Sequence, residues 1–135
     1  MLVVDASAAV QACLAADGFS LFHDEELAAP PLMWSEAASA LHEMRWRRQI
    51  SPELAAIAFD RLESAPVVRR APKRLRRAAW SIADDLGWAK TYDAEYVALA
   101  LALRCRLFTI DERLRRGAAR VVEIIGPADL EPPVQ

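Results

Sequence analysis

The chain contains little glycine and no long hydrophobic run. Only 4 of its 135 residues are glycine, and the 54% hydrophobic and 27% charged fractions exclude a disordered chain. No glycine-rich phosphate-binding loop is present, which argues against a nucleotide-binding enzyme. Because no apolar run reaches about 18 residues, we expect no membrane span, and the lack of a basic leader predicts no signal peptide. We expect one cytoplasmic domain over residues 1–135, with a flexible tail at about 131–135.

The chain is also poor in cysteine. Cys13 and Cys105 are too few for a disulfide framework or a cysteine-based metal site. Both lie in apolar, helix-like sequence. We therefore expect two buried, reduced thiols.

Basic residues are absent from the first third of the chain. Residues 1–44 contain seven acidic residues and no Lys or Arg, whereas residues 45–135 contain all 17 basic residues and 12 acidic ones. The net charge of −2 conceals this asymmetry. Any surface that attracts anions must therefore come from the second part of the chain.

Short apolar runs alternate with helical patterns. Strands are predicted at 2–4, 27–29, 107–110 and 121–125, and residues 67–68 are predicted to form either a short strand or an extended link. Helices are predicted at 6–16, 32–48, 52–64, 73–86 and 93–104, with a short helix after Asp111. The helix at 93–104 is apolar almost all round, which is typical of a buried helix. This alternation predicts an α/β fold whose parallel sheet is covered on both faces.

Acidic residues follow the predicted strands and begin the predicted helices. Asp5 and Asp111 come directly after strands and therefore belong at the carboxyl edge of the sheet, where ligands bind. Asp93 begins the buried helix, where its charge favours the positive end of the helix dipole. Glu36 lies at the border of the apolar stripe of its helix. Four acids from distant segments can thus meet at one edge.

Carboxylates gathered at one edge repel one another. Two of them about 4 Å apart repel by roughly 4 kcal/mol at an effective dielectric near 20. Protonation or a divalent cation relieves this repulsion, and oxygen-only ligands suit Mg²⁺ or Mn²⁺. Each acid taken alone also fits a helix cap or a solvated position, and the residues by themselves leave that alternative open.

Four segments, in order along the chain, resemble the motifs of PIN domains. Residues 3–7 resemble the first motif, residues 31–41 the second, residues 91–100 the third and residues 107–114 the fourth. In one departure, Ile110 stands where the fourth motif often has a polar or small residue. The length of the chain and the lack of other domains make it similar to the VapC toxin branch of bacterial toxin–antitoxin pairs.

The resemblance implies a three-layer α/β/α fold with a short-stranded parallel central sheet. It also implies a Mg²⁺- or Mn²⁺-dependent endoribonuclease with Asp5 and Asp93 as its strongest metal ligands. By the same resemblance, Glu36 and Asp111 complete the catalytic acidic pocket, directly or through water.

The resemblance extends to supporting residues and partners. Ser7 and Thr109 match positions that form hydrogen bonds next to the metal ligands. The expected assembly is a homodimer held inactive by a VapB-type antitoxin in a toxin–antitoxin hetero-oligomer. The implied substrate is a structured RNA, such as tRNA or ribosomal RNA, whose cleavage inhibits translation.

Two groups of basic residues are candidate RNA contacts. Six of the nine residues at 69–77 are basic, and three arginines follow Asp111 within five residues. Because phosphate contacts supply most sequence-independent affinity for nucleic acid, we expect RNA to bind here. The candidates are Arg69, Arg70, Lys73, Arg74, Arg113, Arg115 and Arg116. A solvated helix face is the alternative for the first group.

Other classes of protein fit less well. A phosphohydrolase of the haloacid dehalogenase type needs a second Asp two residues after the first, where this chain has Ser7. A receiver domain needs an acidic pair at the first strand and a late strand ending in Lys, and neither is present. A catalytically inactive PIN-like module that binds RNA or protein is the alternative from another class. The presence of all four acids argues against it.

Overall fold

The computed structural model describes residues 1–130, in which short strands alternate with helices. The strands are β1 (Leu2–Val4), β2 (Leu27–Ala29), β3 (Val67–Arg69), β4 (Arg106–Phe108) and β5 (Ile124–Ile125). The α-helices are α1 (Ala6–Leu14), α2 (Leu32–Trp46), α3 (Pro52–Glu63), α4 (Leu75–Leu86), α5 (Tyr92–Leu103) and α6 (Glu112–Ala118). Short 3₁₀ segments cover Gly18–Phe22 and Pro127–Leu130. The predicted tail at 131–135 lies outside the described residues.

The five strands form one parallel sheet in the order β3-β2-β1-β4-β5. The central strand β1 places Val3 between Ala28 of β2 and Leu107 of β4. The chain moves outward from β1 to β3 and then crosses back to place β4 on the other side of β1. The carboxyl ends of β1 and β4 are therefore the topological switch point, where open α/β sheets bind ligands.

Helices cover both faces of the sheet. The first three helices pack against one another, α4 packs on α5, and α5 lies against β1 and β4. Because parallel crossovers are right-handed, the reversal of direction after β3 places α4 to α6 on the face opposite α1 to α3. The predicted three-layer α/β/α fold is confirmed.

Burial explains why every residue of the central strand is apolar, with no alternation between apolar and polar residues. Leu2, Val3 and Val4 all lie in the core, as expected of a strand covered on both faces. The predicted burial of α5 holds for most of the helix but not for its last turn, where Leu101 is 42% exposed. Among the helices of residues 1–130, none combines the length and the apolar character that a membrane span requires.

The last strand is shorter than its apolar pattern predicts. β5 covers only Ile124–Ile125 of the predicted 121–125. The N–H groups of Val121 and Val122 both donate to the carbonyl of Ala118, which continues the turn after α6. Because an apolar run does not show where the preceding turn ends, the prediction placed the start of this strand three residues too early in the chain.

Both cysteines are free thiols. Cys13 is fully buried, and burial raises its pKa to about 11. Cys105 is only partly buried, contrary to the prediction, because it lies in the turn between α5 and β4.

Candidate active site

Asp5 is held at the carboxyl end of the central strand by three donors. Its Oδ1 accepts hydrogen bonds from the Ala8 N–H at 2.9 Å and from the Ser7 hydroxyl at 2.8 Å. Its Oδ2 accepts from the Thr109 hydroxyl at 2.5 Å. The residue is 5% exposed. Asp5 therefore caps α1, but a cap alone does not require the donors from Ser7 and Thr109.

Thr109 also determines where Asp111 lies. The Asp111 N–H donates to Thr109 Oγ1 at 3.0 Å, which turns the chain away from the sheet. β4 therefore ends at Phe108 and not at the predicted residue 110. Asp111 stands three residues beyond the strand end, where its Oδ1 accepts from the Arg113 N–H at 2.9 Å and caps α6. The prediction that Asp111 follows directly after a strand was wrong.

Glu36 lies in the second turn of α2 and is held by a tyrosine. The Tyr96 hydroxyl donates to Glu36 Oε1 at 2.5 Å. Tyr96 belongs to α5, three residues after Asp93, and is 1% exposed. The sequence analysis missed Tyr96. The available signal was a hydroxyl-bearing residue one helical turn after a candidate ligand in an otherwise apolar helix.

Asp93 acts on Asp5 through space. Burial raises the pKa of Asp5, and the charge of Asp93 raises it further, against the hydrogen bonds from Thr109 and its neighbours. Asp93 stands at the exposed start of α5, yet desolvation by the surrounding protein raises its pKa. The negative charge of Asp111 adds to that increase, and Arg113 opposes it. Asp93 and Asp111 thus belong to one electrostatic cluster with Asp5.

Glu36 belongs to the same cluster. Partial burial raises its pKa, and the charges of Asp93, Asp5 and Glu95 raise it further, while the hydrogen bond from Tyr96 acts in the opposite direction. Within the described part of the chain, no Lys, Arg or His forms an ion pair with Asp5, Glu36 or Asp93. Their repulsion is therefore not offset by a direct ion pair, and Arg113 acts on Asp93 only through space.

A cleft of about 600 Å³ opens beside these acids, and Glu36 and Asp93 line it. Lys90 and Arg113 lie on its walls. Over residues 1–130, no three His, Cys, Asp or Glu side chains converge closely enough to make a ready-made metal cluster. The oxygen donors still fit Mg²⁺ or Mn²⁺, because Mg²⁺ commonly takes one or two carboxylates and completes its shell with water and substrate phosphates.

The three arginines of α6 differ in their surroundings. Arg113 lines the acidic cleft, and its Nε lies 3.9 Å from Asp111 Oδ1. Arg115 is half-buried and pairs with Asp129 at 3.5 Å. Arg116 is exposed. Arg113 is therefore the arginine of this group that faces the candidate site.

The second basic group lies beside a neighbouring cleft of about 470 Å³. Lys73, Arg76 and Glu95 line this cleft, between the starts of α2 and α4. The guanidinium of Arg69 lies over the Trp34 ring, 4.7 Å from its centroid, in a cation–π contact. The remaining predicted contacts of this group, Arg70 and Arg74, are exposed.

Comparisons with known proteins agree with this architecture. The family model for the PIN domain matches residues 2–120. VapC ribonuclease Mb0985 of Mycobacterium bovis is 40% identical over 116 residues, which are 84% of this chain and 88% of that protein. Ribonuclease VapC1 of Mycobacterium tuberculosis is 36% identical over 130 residues, 90% of this chain and 94% of that protein.

A solved structure shows the same fold. The crystal structure of PAE2754 from Pyrobaculum aerophilum superposes with a TM-score of 0.72 at 25% sequence identity. The match covers 96% of this chain and 85% of that one. Together with the matching motifs, these similarities show that the chain belongs to the PIN domain family and, within it, to the VapC ribonucleases.

Proposed function

We propose that this protein is a Mg²⁺- or Mn²⁺-dependent endoribonuclease and the toxin of a VapBC-type pair. The observation that carries the proposal is the cluster of Asp5, Glu36 and Asp93 at the switch point of the sheet. These acids come from three distant segments, and the charge of Asp93 raises the pKa of both Asp5 and Glu36. None of the three forms an ion pair with a basic side chain in the described residues. Such an arrangement is costly unless a cation or substrate relieves the repulsion.

Each acid has a distinct task in this proposal. Asp5, Glu36 and Asp93 would hold the cation, and Asp111 would act at the edge of the pocket, directly or through water. A bound divalent cation neutralises charge on the scissile phosphate and lowers the pKa of a coordinated water. Ser7 and Thr109 fix the orientation of Asp5 through their hydroxyl groups.

Basic side chains on both sides of the cluster support RNA as the substrate. Arg113 and Lys90 line the acidic cleft, and Lys73 and Arg76 line the neighbouring one. A polynucleotide backbone that crosses the edge of the sheet would meet positive charge before and after the acids. We extend the proposal to structured RNA, such as tRNA or ribosomal RNA, whose cleavage inhibits translation.

An apolar groove supports a VapB-type antitoxin as partner. It lies between α2 and α3 and contains Leu41, Ala55 and Phe59, with Arg45 at its rim. Phe59 is 45% exposed, and an amphipathic helix with an acidic residue fits a groove of this character. We also propose a homodimer, because Trp80 on α4 is 65% exposed and offers a further apolar surface.

The decisive experiment is RNA cleavage by purified protein, free of antitoxin, with tRNA and ribosomal RNA as substrates. We expect cleavage with Mn²⁺, no cleavage with excess EDTA, and loss of cleavage in Asp5→Asn. Asp84→Asn, which changes an exposed acid of α4, is the matched control and should cleave like the unmodified protein. Cleavage that survives both EDTA and Asp5→Asn would refute the proposal.

The alternative of a catalytically inactive module predicts a different result. Such a protein would bind RNA without cutting it. Any effect of its expression on growth, in the absence of antitoxin, would be the same with and without the Asp5 carboxylate. We expect growth arrest from the unmodified chain and normal growth from Asp5→Asn at equal expression. Normal growth in both cases would count against a toxin.

A further inference from the structure

Tyr96 stands where three acid-bearing segments meet. It lies on α5 one turn after Asp93, so both residues are on the same face of that helix. Its hydroxyl donates to Glu36 of α2 at 2.5 Å. The backbone N–H of Ala6, the residue after Asp5, lies beside the same hydroxyl oxygen. One buried phenol therefore touches the segments of all three acids.

The surroundings of Tyr96 keep it a neutral hydrogen-bond donor. Burial raises its pKa, and so do the hydrogen bond to Glu36 and the charges of Glu36 and Asp5. Because the N–H of Ala6 faces the oxygen, the hydroxyl proton is left to point at Glu36. Within residues 1–130, no side chain other than Tyr96 forms a hydrogen bond with the Glu36 carboxylate.

Over residues 1–130, the other carboxylate oxygen of Glu36, Oε2, accepts no hydrogen bond. A glutamate on a helix surface samples several rotamers, and electrostatic repulsion from Asp5 and Asp93 would favour those that point away from the cluster. The hydrogen bond from Tyr96 opposes this, because it ties Oε1 to a rigid, buried ring. Because Glu36 and Asp93 line the same cleft, this bond keeps the Glu36 side chain at that cleft.

We propose that Tyr96 is a positioning residue of the metal site, whose hydroxyl fixes Glu36 so that its second carboxylate oxygen can take the cation. This inference rests on the proposed function, since it assumes a divalent ion at the cluster. A purely structural tyrosine is the competing explanation. It predicts that removal of the hydroxyl lowers stability. It also predicts that any change in metal affinity is the same whether or not Glu36 is present.

The test is a double-mutant cycle read by calorimetric titration with Mn²⁺ alone, in the absence of RNA. The proteins are the unmodified chain, Tyr96→Phe, Glu36→Gln and the double variant. We expect Tyr96→Phe to weaken Mn²⁺ binding by about 10-fold, the lower end of the range for residues that orient metal ligands. In the Glu36→Gln background, Tyr96→Phe should cause no further loss.

Val97→Ala is the control for stability. It shortens a fully buried side chain next to Tyr96 on α5, and this side chain carries no hydrogen-bonding group. It should lower Tm and leave Mn²⁺ affinity unchanged. Glu36→Asp is a second test of the contact between Glu36 and Tyr96, and it can be used even if Tyr96→Phe does not fold. It keeps the charge but withdraws the carboxylate from Tyr96, so it should also weaken Mn²⁺ binding.

The outcomes separate this inference from the proposed function. If the unmodified protein binds Mn²⁺ and Asp93→Asn abolishes binding, but Tyr96→Phe binds normally, only the role of Tyr96 is overturned. If Glu36→Asp also binds normally, Glu36 is not a ligand of the ion. An equal loss from Tyr96→Phe in both backgrounds also overturns it, because the effect then bypasses Glu36. If the unmodified protein binds no Mn²⁺, the proposed function and this inference fall together.

Discussion

The hydroxyl of Thr109 donates to Oδ2 of Asp5 at 2.5 Å, although the two residues are 104 positions apart. Each residue directly follows one of the two strands, β1 and β4, that form the switch point of the sheet. The bond therefore joins the first and last acid-bearing segments at the place where the fold binds ligands. The orientation of Asp5 depends on the correct pairing of these two strands.

Thr109→Val tests that link. The substitution keeps the shape of the side chain but removes the donor to Asp5 and the acceptor for the Asp111 N–H. We expect the free energy of unfolding in urea to fall by about 1–3 kcal/mol, because polar groups lose their partners in a buried site. Thr91→Val is the matched control, since the Thr91 side chain makes no capping hydrogen bond. Equal stability of the two variants would contradict this account of Thr109.

Asp93→Asn separates catalysis from folding. We expect a loss of Mn²⁺-dependent RNA cleavage of at least about 100-fold, because one cation ligand is gone. The free energy of unfolding should stay within about 1 kcal/mol of the unmodified value, since relief of repulsion with Asp5 and Asp111 offsets the lost helix-dipole interaction. Circular dichroism and urea unfolding provide the check. A variant that loses both activity and fold would show that Asp93 is a structural residue.

The acidic cluster should make the metal-free protein less stable as pH rises, whereas most acidic residues in folded proteins have the opposite effect. Asp5, Glu36 and Asp93 have a pKa above the ordinary values of 3.8 for Asp and 4.5 for Glu. The folded state then binds more protons than the unfolded state in the range above those values, so stability falls as pH rises through it. In EDTA, we expect Tm to rise as the pH is lowered from neutrality toward the ordinary carboxyl values.

Two additions make the pH measurement specific. Mn²⁺ should raise Tm at neutral pH and raise it less at the lower pH, where protons compete for the same carboxylates. Asp5→Asn should flatten the pH dependence, because it removes the most buried acid of the cluster. A Tm profile that is identical in the unmodified protein and in Asp5→Asn would show that the cluster does not cause the effect.

Arg113→Ala and Arg115→Ala should have different effects. Arg113 lines the acidic cleft, so its loss should weaken RNA binding and reduce the slope of log affinity against log salt by about 1. Arg115 pairs with Asp129, and its loss should lower Tm more than Arg113→Ala does. Fluorescence anisotropy with RNA at several salt concentrations gives the first quantity. An unchanged salt slope in Arg113→Ala would show that Arg113 does not contact the RNA backbone.

Much of the fold could be predicted from local patterns. The predicted strand at 2–4 is present as β1. The predicted helix start at 52 and helix end at 86 are also present, with Ser51 capping α3 and Gly87 ending α4. These features depend on neighbours in the sequence, so the sequence alone shows them. The ends of β4 and β5 depend on turn hydrogen bonds at Thr109 and Ala118, and apolar runs do not reveal those.

The sequence indicated the acids of the candidate site but not the geometry in which the structure places them. Strand ends and helix starts indicated Asp5 and Asp93 because parallel strands share one carboxyl edge. The hydrogen bond between Tyr96 and Glu36 joins helices that are 60 positions apart, and no spacing in the sequence predicts which residues meet across that distance. The same limitation applies to the pairing of Arg115 with Asp129, which only the packing of α6 explains.

The most direct measurement of the central claim is an anomalous difference map from crystals of the antitoxin-free protein soaked in Mn²⁺. We expect a peak at bonding distance from carboxylate oxygens of at least two of Asp5, Glu36 and Asp93. The peak should be absent from Asp93→Asn crystals treated in the same way. A map with no peak at this cluster, or with Mn²⁺ bound only at acids elsewhere on the surface, would contradict a shared cation site at the switch point.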